Sequence, residues 1–283
     1  MSDRSGYSPQ RRRPVGGLVV AVVVVVVVLV AAVVFLVARS GGGDESAGDA
    51  GQSTSSAAGG AQASATASGG AGVTSDFWGR RVVLPANPDG DVIPQKPVDI
   101  TDACNPVNYS RVPDELTAQR THTAPTLWSS TDGPTGVTGT TPTGYTHTPQ
   151  GAALAGWNYM SMYSVGGKMG LDSVLNFGGF SEGKKQELRG LDQPTEDSSR
   201  DRTNMVAPAA VEYLSCHEDQ VVVKYYLPGP DPETGSSERP KYTLFQIPVV
   251  WKSDHWEMDM SGQSGSSGQI VDSIDGKAVK WDY

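Results

Sequence analysis

The chain has 283 residues and a net charge of −9. It contains 34 glycines and 19 prolines, and its hydrophobic share of 37% includes one long run of valines, which excludes two large hydrophobic cores. Six tryptophans and ten tyrosines exclude a wholly disordered chain, and two cysteines exclude a disulfide-dense scaffold.

The apolar run at residues 18–38 carries no charge and predicts a membrane-spanning helix. At about 1.5 Å per residue it reaches roughly 31 Å, one hydrocarbon thickness. A buried core helix is one alternative, but a soluble helix does not need so long an uninterrupted run. A cleaved signal peptide is the other, but its apolar region is typically shorter, about 7–15 residues, and ends at a small-x-small site. Here Ala38 is followed by Arg39, so we expect an uncleaved anchor.

The flanking charges predict the orientation of this anchor. Residues 1–17 form a basic tail that contains Arg4 and the cluster Arg11–Arg13, whereas Asp44, Glu45 and Asp49 follow the apolar run. Positively charged flanks stay on the cytoplasmic side. The arginine cluster could also contact nucleic acid, but a topology signal beside anionic lipid is the favoured interpretation. We expect a single-pass protein of the cell membrane with a cytoplasmic N-terminus and an extracytoplasmic C-terminal domain.

Residues 39–75 are mostly glycine, alanine, serine and threonine, which predicts a disordered linker with a mean span of roughly 30–35 Å. Residues 76–283 form the predicted outer domain. They contain 17 lysines and arginines against 27 acidic residues, a balance of −10. This charge argues against a nucleic-acid partner.

The first part of the outer domain, residues 76–145, is rich in proline, threonine and glycine and predicts an extended lead-in that wraps the core. Arg81–Leu84 and Val98–Ile100 are its strand-like pieces. The core is predicted at 146–283. It begins with a helix at 149–165, because Thr148 is a favoured N-cap and Pro149 suits the first helical position. One amphipathic stripe is predicted on this helix. It is formed by Ala153, Trp157, Met160 and Ser164 and is widened by Ala152, Ala155 and Tyr163.

The remainder of the core is predicted to contain one weaker helix and then strands. The helix is Glu182–Leu188, and a loop at 190–203 follows. The predicted strands are Ala209–Cys216, Gln220–Leu227, Tyr242–Trp251 and a run beginning at His255. A glycine–serine loop at 261–268 and a closing strand or hairpin near Asp275–Gly276 complete the chain. The fold class is therefore α+β, an antiparallel sheet of about four strands covered by the helix at 149–165.

Catalytic and metal-binding motifs were sought in the sequence without success. It has no HExxH, no phosphate-binding GxxxxGK[ST] loop, no GxSxG elbow and no acidic calcium loop. His217-Glu218-Asp219 resembles a metal cluster, but adjacent residues on a tight turn cannot all face one ion. His147 and His255 have no partner at a useful spacing. We predict no catalytic residue, no metal, no cofactor and no enzymatic activity.

Two groups of residues remain as candidates for structure or binding. Cys104 and Cys216 could form a disulfide outside the membrane, closing a loop of about 110 residues and stabilising the fold by about 4–5 kcal/mol; two unpaired thiols are the alternative. The aromatic residues Trp157, Tyr159, Trp251 and Trp256 are the candidates for lining a pocket or an interface, although a stripe of this kind usually packs in a core.

Three separated segments resemble a family of uncharacterised actinobacterial membrane-anchored proteins. They are Thr148-Pro149-Gln150-Gly151-Ala152, the span from Trp251 to Trp256, and Ser273-Ile274-Asp275-Gly276 followed by Trp281. The resemblance covers roughly residues 120–283. It implies an association with mobile or conjugative elements but no assigned activity. The layout is also similar to the bitopic scaffold proteins of type IV secretion, whose outer domain is of the nuclear-transport-factor-2-like α+β type.

These observations favour a non-catalytic, envelope-anchored structural or interaction protein with protein partners, such as a component of a conjugation or secretion assembly. The alternative is an extracytoplasmic ligand-binding module that uses a cavity between helix and sheet. A cell-wall hydrolase is the third hypothesis, and it would need a cleft that joins His255 or His217 to carboxylates.

Overall fold

A computed structural model describes residues 72–96, 98–100, 102–190, 205–260 and 268–283. The predicted tail 1–17, the apolar run 18–38, most of the linker and most of the predicted loops 190–203 and 261–268 lie outside these residues. Within the described ranges no helix has the length and apolar character to cross a membrane. The described residues all belong to one compact unit, Gln52–Tyr283.

The predicted lead-in, residues 76–145, supplies three of the four strands of a sheet rather than only an extended wrap. The strands of this sheet, in spatial order, are β1 (Gly72–Ser75), β2 (Arg81–Leu84), β3 (Thr117–Thr121) and β4 (Ala124–Trp128). Strands β2 and β3 are parallel and the other pairs are antiparallel. The prediction of β2 was exact. By contrast, Val98–Ile100 is not a strand, and Gly72–Ser75, which had been assigned to the linker, pairs with β2.

A short helix, α1 (Pro106–Tyr109), precedes β3, and a small hairpin follows β4, formed by β5 (Gly136–Thr138) and β6 (Thr141–Thr143). Helix α2 spans Pro149–Val165, as predicted, and the Thr148 hydroxyl accepts a hydrogen bond from the Gly151 N–H. Helix α3 (Gly167–Phe177) was missed. Gly166 and Gly167 both adopt positive φ, which ends α2, and the next helix starts at once. Helix α4 covers Glu182–Arg189, close to its predicted range.

The second half of the chain forms a six-stranded sheet rather than a four-stranded one. Its strands are β7 (Ala210–His217), β8 (Gln220–Gly229), β9 (Lys241–Lys252), β10 (His255–Met258), β11 (Gln269–Val271) and β12 (Val279–Lys280). The order is β10-β9-β8-β7-β12, with β11 paired to another part of β9, and each pair is antiparallel. The α+β class is confirmed.

Helix α2 lies between the two sheets, so the single predicted stripe was wrong. Fourteen of its 17 residues are buried. The Trp157 indole donates to the Pro125 carbonyl of β4 at 2.8 Å, whereas the Tyr225 hydroxyl of β8 donates to the Ala153 carbonyl at 2.8 Å. A helix that is buried nearly all round needs cover on more than one side. The four-stranded sheet buries the second side of α2, and this sheet was not predicted from the sequence.

Candidate functional site

A buried carboxylate anchors the start of helix α2. The Asp132 side chain, 1% exposed, accepts two hydrogen bonds from the Arg111 guanidinium at 2.8 Å each. The Thr131 and Thr148 hydroxyls also donate to it, at 2.7 and 2.9 Å. Buried charges are tolerated when they are paired and fully hydrogen-bonded. Thr148 is therefore both the helix N-cap and a donor to this network.

In the Thr-Pro-Gln-Gly-Ala segment, three residues after Thr148 are hydrogen-bonded or closely packed. The Gln150 side chain, 1% exposed, donates to the Asn108 carbonyl at 2.7 Å and to the Arg111 carbonyl at 3.2 Å. A Cβ atom on Gly151 would lie 2.1 Å from the Thr146 carbonyl oxygen, and Ala152 is fully buried. This segment fastens the helix to the chain before β3, so its first role is structural.

The Trp251–Trp256 hairpin packs against the two residues that precede the helix cap. Trp251 and Trp256 are paired across β9 and β10, with ring centroids 5.1 Å apart. The Trp256 indole donates to the Thr146 carbonyl at 2.8 Å. The His147 ring stacks on Trp251 at 4.1 Å with an interplanar angle of 12°. Two of the three segments that carried the family resemblance thus meet at one place.

His147 also joins this place to the turn between β7 and β8. Its Nε2 donates to the Glu218 carbonyl at 2.8 Å and lies 3.1 Å from Oδ1 of Asp219. The Trp251 N–H donates to the Asp219 carbonyl at 2.8 Å. The helix start, the tryptophan hairpin and the β7–β8 turn are therefore held in a fixed relative geometry.

Cys104 and Cys216 are joined by a disulfide with a Cα–Cα distance of 5.5 Å. This is the pair considered in the sequence analysis, and the unpaired alternative does not occur in the structure. The bond ties the segment before α1 to strand β7 across 112 residues of sequence.

These elements enclose a cleft of about 390 Å³. Its lining residues are Ile100, Asp102, Ala103, Cys104, His147, Thr148, Pro149, His217, Glu218, Val221 and Trp256. Pro149, Val221 and Trp256 are buried beneath the cleft, whereas Asp102, His217 and Glu218 are exposed at the rim. The cleft is lined by two carboxylates and two imidazoles and by no lysine or arginine. It places His217 with Asp102 and Glu218, which is the juxtaposition that the hydrolase hypothesis needed.

The four candidate aromatic residues separate into two groups. Trp256 lines the cleft and Trp251 supports His147 beside it. Trp157 is a core residue, 1% exposed, and Tyr159 is fully buried, stacked on Phe177 at 4.5 Å. Burial raises the pKa of Tyr159 well above its ordinary value. Trp157 and Tyr159 are therefore packing residues.

The interface between α2 and the six-stranded sheet is filled by side chains. A Cβ atom on Gly156 would lie 2.7 Å from the Tyr225 hydroxyl and 3.0 Å from Val249 Cγ2. The cavity that the ligand-binding alternative required is occupied at this point by the protein itself.

Sequence reasoning missed Arg111 and Asp132, and it saw no role for His147. No local signal marks Asp132 or Arg111, because their partners come from distant parts of the chain. The His217-Glu218-Asp219 turn divides its side chains: the first two line the cleft and the third pairs with His147. Across the described ranges, no group of three histidine, cysteine or acidic residues is arranged to hold a metal ion.

Residues 83–279 match a protein family described as a domain of unknown function, DUF8175. The chain belongs to this family. The DUF8175 match begins in β2 and ends at the first residue of β12, so it includes the cleft and nearly all of both sheets. No curated protein and no solved structure matches the chain.

Proposed function

We propose that the chain is a non-catalytic, envelope-anchored interaction protein whose outer domain contacts a protein partner at the cleft. One observation carries the proposal: four separate parts of the chain are fixed around a surface cleft whose rim side chains are exposed. They are residues 102–104, the start of α2, the β7–β8 turn and β10.

Rigid walls favour recognition, because a preorganised surface loses little conformational entropy on binding. The disulfide fixes one wall, and the His147 bond to the Glu218 carbonyl fixes another. The rim residues Asp102, His217 and Glu218 are exposed, so a partner can reach them without unfolding the domain.

The proposed location follows from the sequence outside the described residues. The apolar run 18–38 anchors the chain, the basic tail 1–17 stays in the cytoplasm, and the linker carries the domain into the extracytoplasmic space. We assign the process to a conjugation or secretion assembly, as the family resemblance implies. The assignment to such an assembly is supported by the order of basic tail, apolar run, linker and outer domain along the chain.

A photo-crosslinking residue placed at His217 in the full-length chain, in the cells that make it, tests the proposal. The control position is Glu233, which is also exposed. It lies beyond the opposite end of β8, about 33 Å away along ten strand residues. We expect a discrete protein adduct from His217 and none from Glu233, together with reduced DNA transfer when the gene is deleted. Equal adducts from both positions, or none from either, would contradict the proposal.

A further inference from the structure

We propose that the Cys104–Cys216 disulfide is a redox switch that holds one wall of the cleft in place. This inference rests on the proposed function and specifies how the same surface is regulated. The oxidised chain presents the partner-binding surface, and the reduced chain loses it.

The disulfide lies where a reductant can approach it. Both cysteines are half-buried, and Cys104 lines the cleft, whereas Cys216 packs against the hydrophobic core from strand β7. Exposed disulfides are the ones that exchange with external thiols, whereas structural disulfides typically resist reduction. The sulfur open to attack from the cleft is therefore that of Cys104.

The stretch that contains Cys104, residues 102–107, has few other ties to the domain. Within the described part of the chain, its hydrogen bonds all end inside residues 102–110. Helix α1 contains no buried residue, Val107 is 79% exposed, and the hydrophobic clusters include no residue of this stretch. The disulfide is the bond that fastens the stretch to β7.

The chain immediately after this stretch is held independently of the disulfide. The Asn108 carbonyl accepts a hydrogen bond from the Gln150 side chain at 2.7 Å. The Tyr109 ring packs on the Tyr213 ring, with centroids 5.6 Å apart. Breaking the disulfide would therefore release residues 102–107 locally, while α2 and the two sheets stay packed.

The switching step is a thiol–disulfide exchange with a dithiol reductant. One thiolate of the reductant attacks Sγ of Cys104, the S–S bond breaks, and Cys216 leaves as a thiolate that takes up a proton. The second thiol of the reductant then attacks the mixed disulfide and releases Cys104. The chain gains two electrons and two protons and ends with two thiols, and the reductant ends as a disulfide. Asp102 and Ala103, which line the cleft beside Cys104, are then free to move away from β7.

Hydrogen exchange of the full-length chain in phosphatidylcholine nanodiscs, with and without dithiothreitol, tests the release. We expect the amides of residues 102–107 to exchange at least about tenfold faster in the reduced chain, while those of the β8–β9 pair change less than about twofold. The control is the Cys104→Ser, Cys216→Ser chain, in which dithiothreitol should change nothing. Unchanged exchange at 102–107, equal acceleration in every region, or a folded chain whose disulfide resists dithiothreitol would overturn the inference.

Photo-crosslinking at His217 separates this inference from the proposed function. We expect the adduct yield to fall roughly tenfold in the Cys104→Ser, Cys216→Ser chain, because a loosened wall must be ordered again on binding. Equal yields with and without the cysteines would overturn the redox switch and leave the proposed function standing. The absence of an adduct from both chains would contradict the proposed function instead.

Discussion

Helix α2 makes chemically different contacts with its two sheets. Towards β4 it uses polar side chains. The Asn158 amide accepts from the Leu127 N–H at 2.7 Å and donates to the Leu127 carbonyl at 2.8 Å, while the Ser161 hydroxyl and the Trp157 indole both donate to the Pro125 carbonyl. Towards the six-stranded sheet, the helix instead presents small residues such as Gly156, against which the Val249 methyl groups pack.

The difference follows from the position of each strand in its sheet. Strand β4 is at the edge of the four-stranded sheet, where unpaired backbone groups would otherwise remain. The polar side chains of α2 take the place of a neighbouring strand and form hydrogen bonds with these backbone groups of β4. Strands β8 and β9 have partners on both sides, so the helix meets only their side chains. It packs closely against them and accepts one hydrogen bond there, from the Tyr225 hydroxyl to the Ala153 carbonyl. One helix therefore makes several polar side-chain bonds to a strand edge on one side and packs closely, with a single bond, on the other.

The largest expected effect concerns the disulfide, the covalent tie between the first half of the domain and the six-stranded sheet. Replacing both cysteines, Cys104→Ser with Cys216→Ser, should lower the free energy of unfolding by about 4–5 kcal/mol, because the link closes a loop across 112 residues. Urea unfolding of the full-length chain measures the loss. Reductant should destabilise the wild type similarly and leave the double variant unchanged. A loss below about 1 kcal/mol would mean that other contacts already hold the segment before α1 in place.

The polar contact is tested by Asn158→Leu. This change leaves the Leu127 N–H and carbonyl without their side-chain partner and removes the bond from Asn158 to the Tyr145 hydroxyl. We expect a loss of about 3–4 kcal/mol, because each buried group left unsatisfied costs about 1–3 kcal/mol. The matched change on the packed side, Ile247→Val, should cost only about 1 kcal/mol. Equal losses in urea unfolding would remove the distinction between the two contacts.

The packed contact is tested by Gly156→Ala. The added methyl group would lie 2.7 Å from the Tyr225 hydroxyl and 3.0 Å from Val249. We expect destabilisation by about 2 kcal/mol, since overpacking outweighs the gain in helix propensity. The control is Gly183→Ala in α4, where a Cβ meets nothing within 4 Å and thermal stability should rise slightly. Thermal unfolding that ranks the two variants in the opposite order would show that α2 can move off the sheet at little cost.

The smallest effect is the alkaline response of the tyrosines, several of which lie in α2 and in the six-stranded sheet. Seven of the ten have a raised pKa, with burial as the largest cause: Tyr145, Tyr159, Tyr163, Tyr213, Tyr225, Tyr226 and Tyr283. Burial and the Glu212 carboxylate raise the pKa of Tyr226 to about 12. Because these phenols ionise more readily in the unfolded chain, stability should be unchanged below about pH 10 and fall above it.

Ultraviolet absorbance of phenolate during an alkaline titration measures this response. The seven tyrosines, which include residues of α2 and of the six-stranded sheet, should ionise together with the loss of folded structure in one transition. Two separate ionisation steps, one before unfolding, would indicate that α2 and the six-stranded sheet come apart before the domain unfolds.

The six-stranded sheet was largely predictable from sequence because its central strands alternate. In β9, Phe245, Ile247, Val249 and Trp251 share the face towards α2, as expected. The four-stranded sheet was not predictable in the same way. Every residue of β4 is buried, so no alternation marks the strand. The partner of β2 is β3, a parallel strand that is distant in sequence.

Only part of the candidate site could be predicted from the sequence, for a related reason. Both cysteines and both hairpin tryptophans could be singled out from the sequence; Cys104 and Trp256 line the cleft, and Cys216 and Trp251 are their bonded or packed partners. Asp132 and Arg111 could not be found, because their importance depends on contacts with the start of α2 that no local pattern encodes. The role of His147 likewise appears only when the β9–β10 hairpin and the β7–β8 turn are brought together.

Native-state hydrogen exchange of the Leu127 N–H tests the central claim, that α2 completes the edge of β4 by a polar bond. The N–H points away from β3 towards Asn158, at 2.7 Å from its Oδ1. We expect it to exchange only by global unfolding, with the same opening free energy as the amides of the β8–β9 pair. Rapid exchange, at the rate of an unpaired edge strand, would contradict the account.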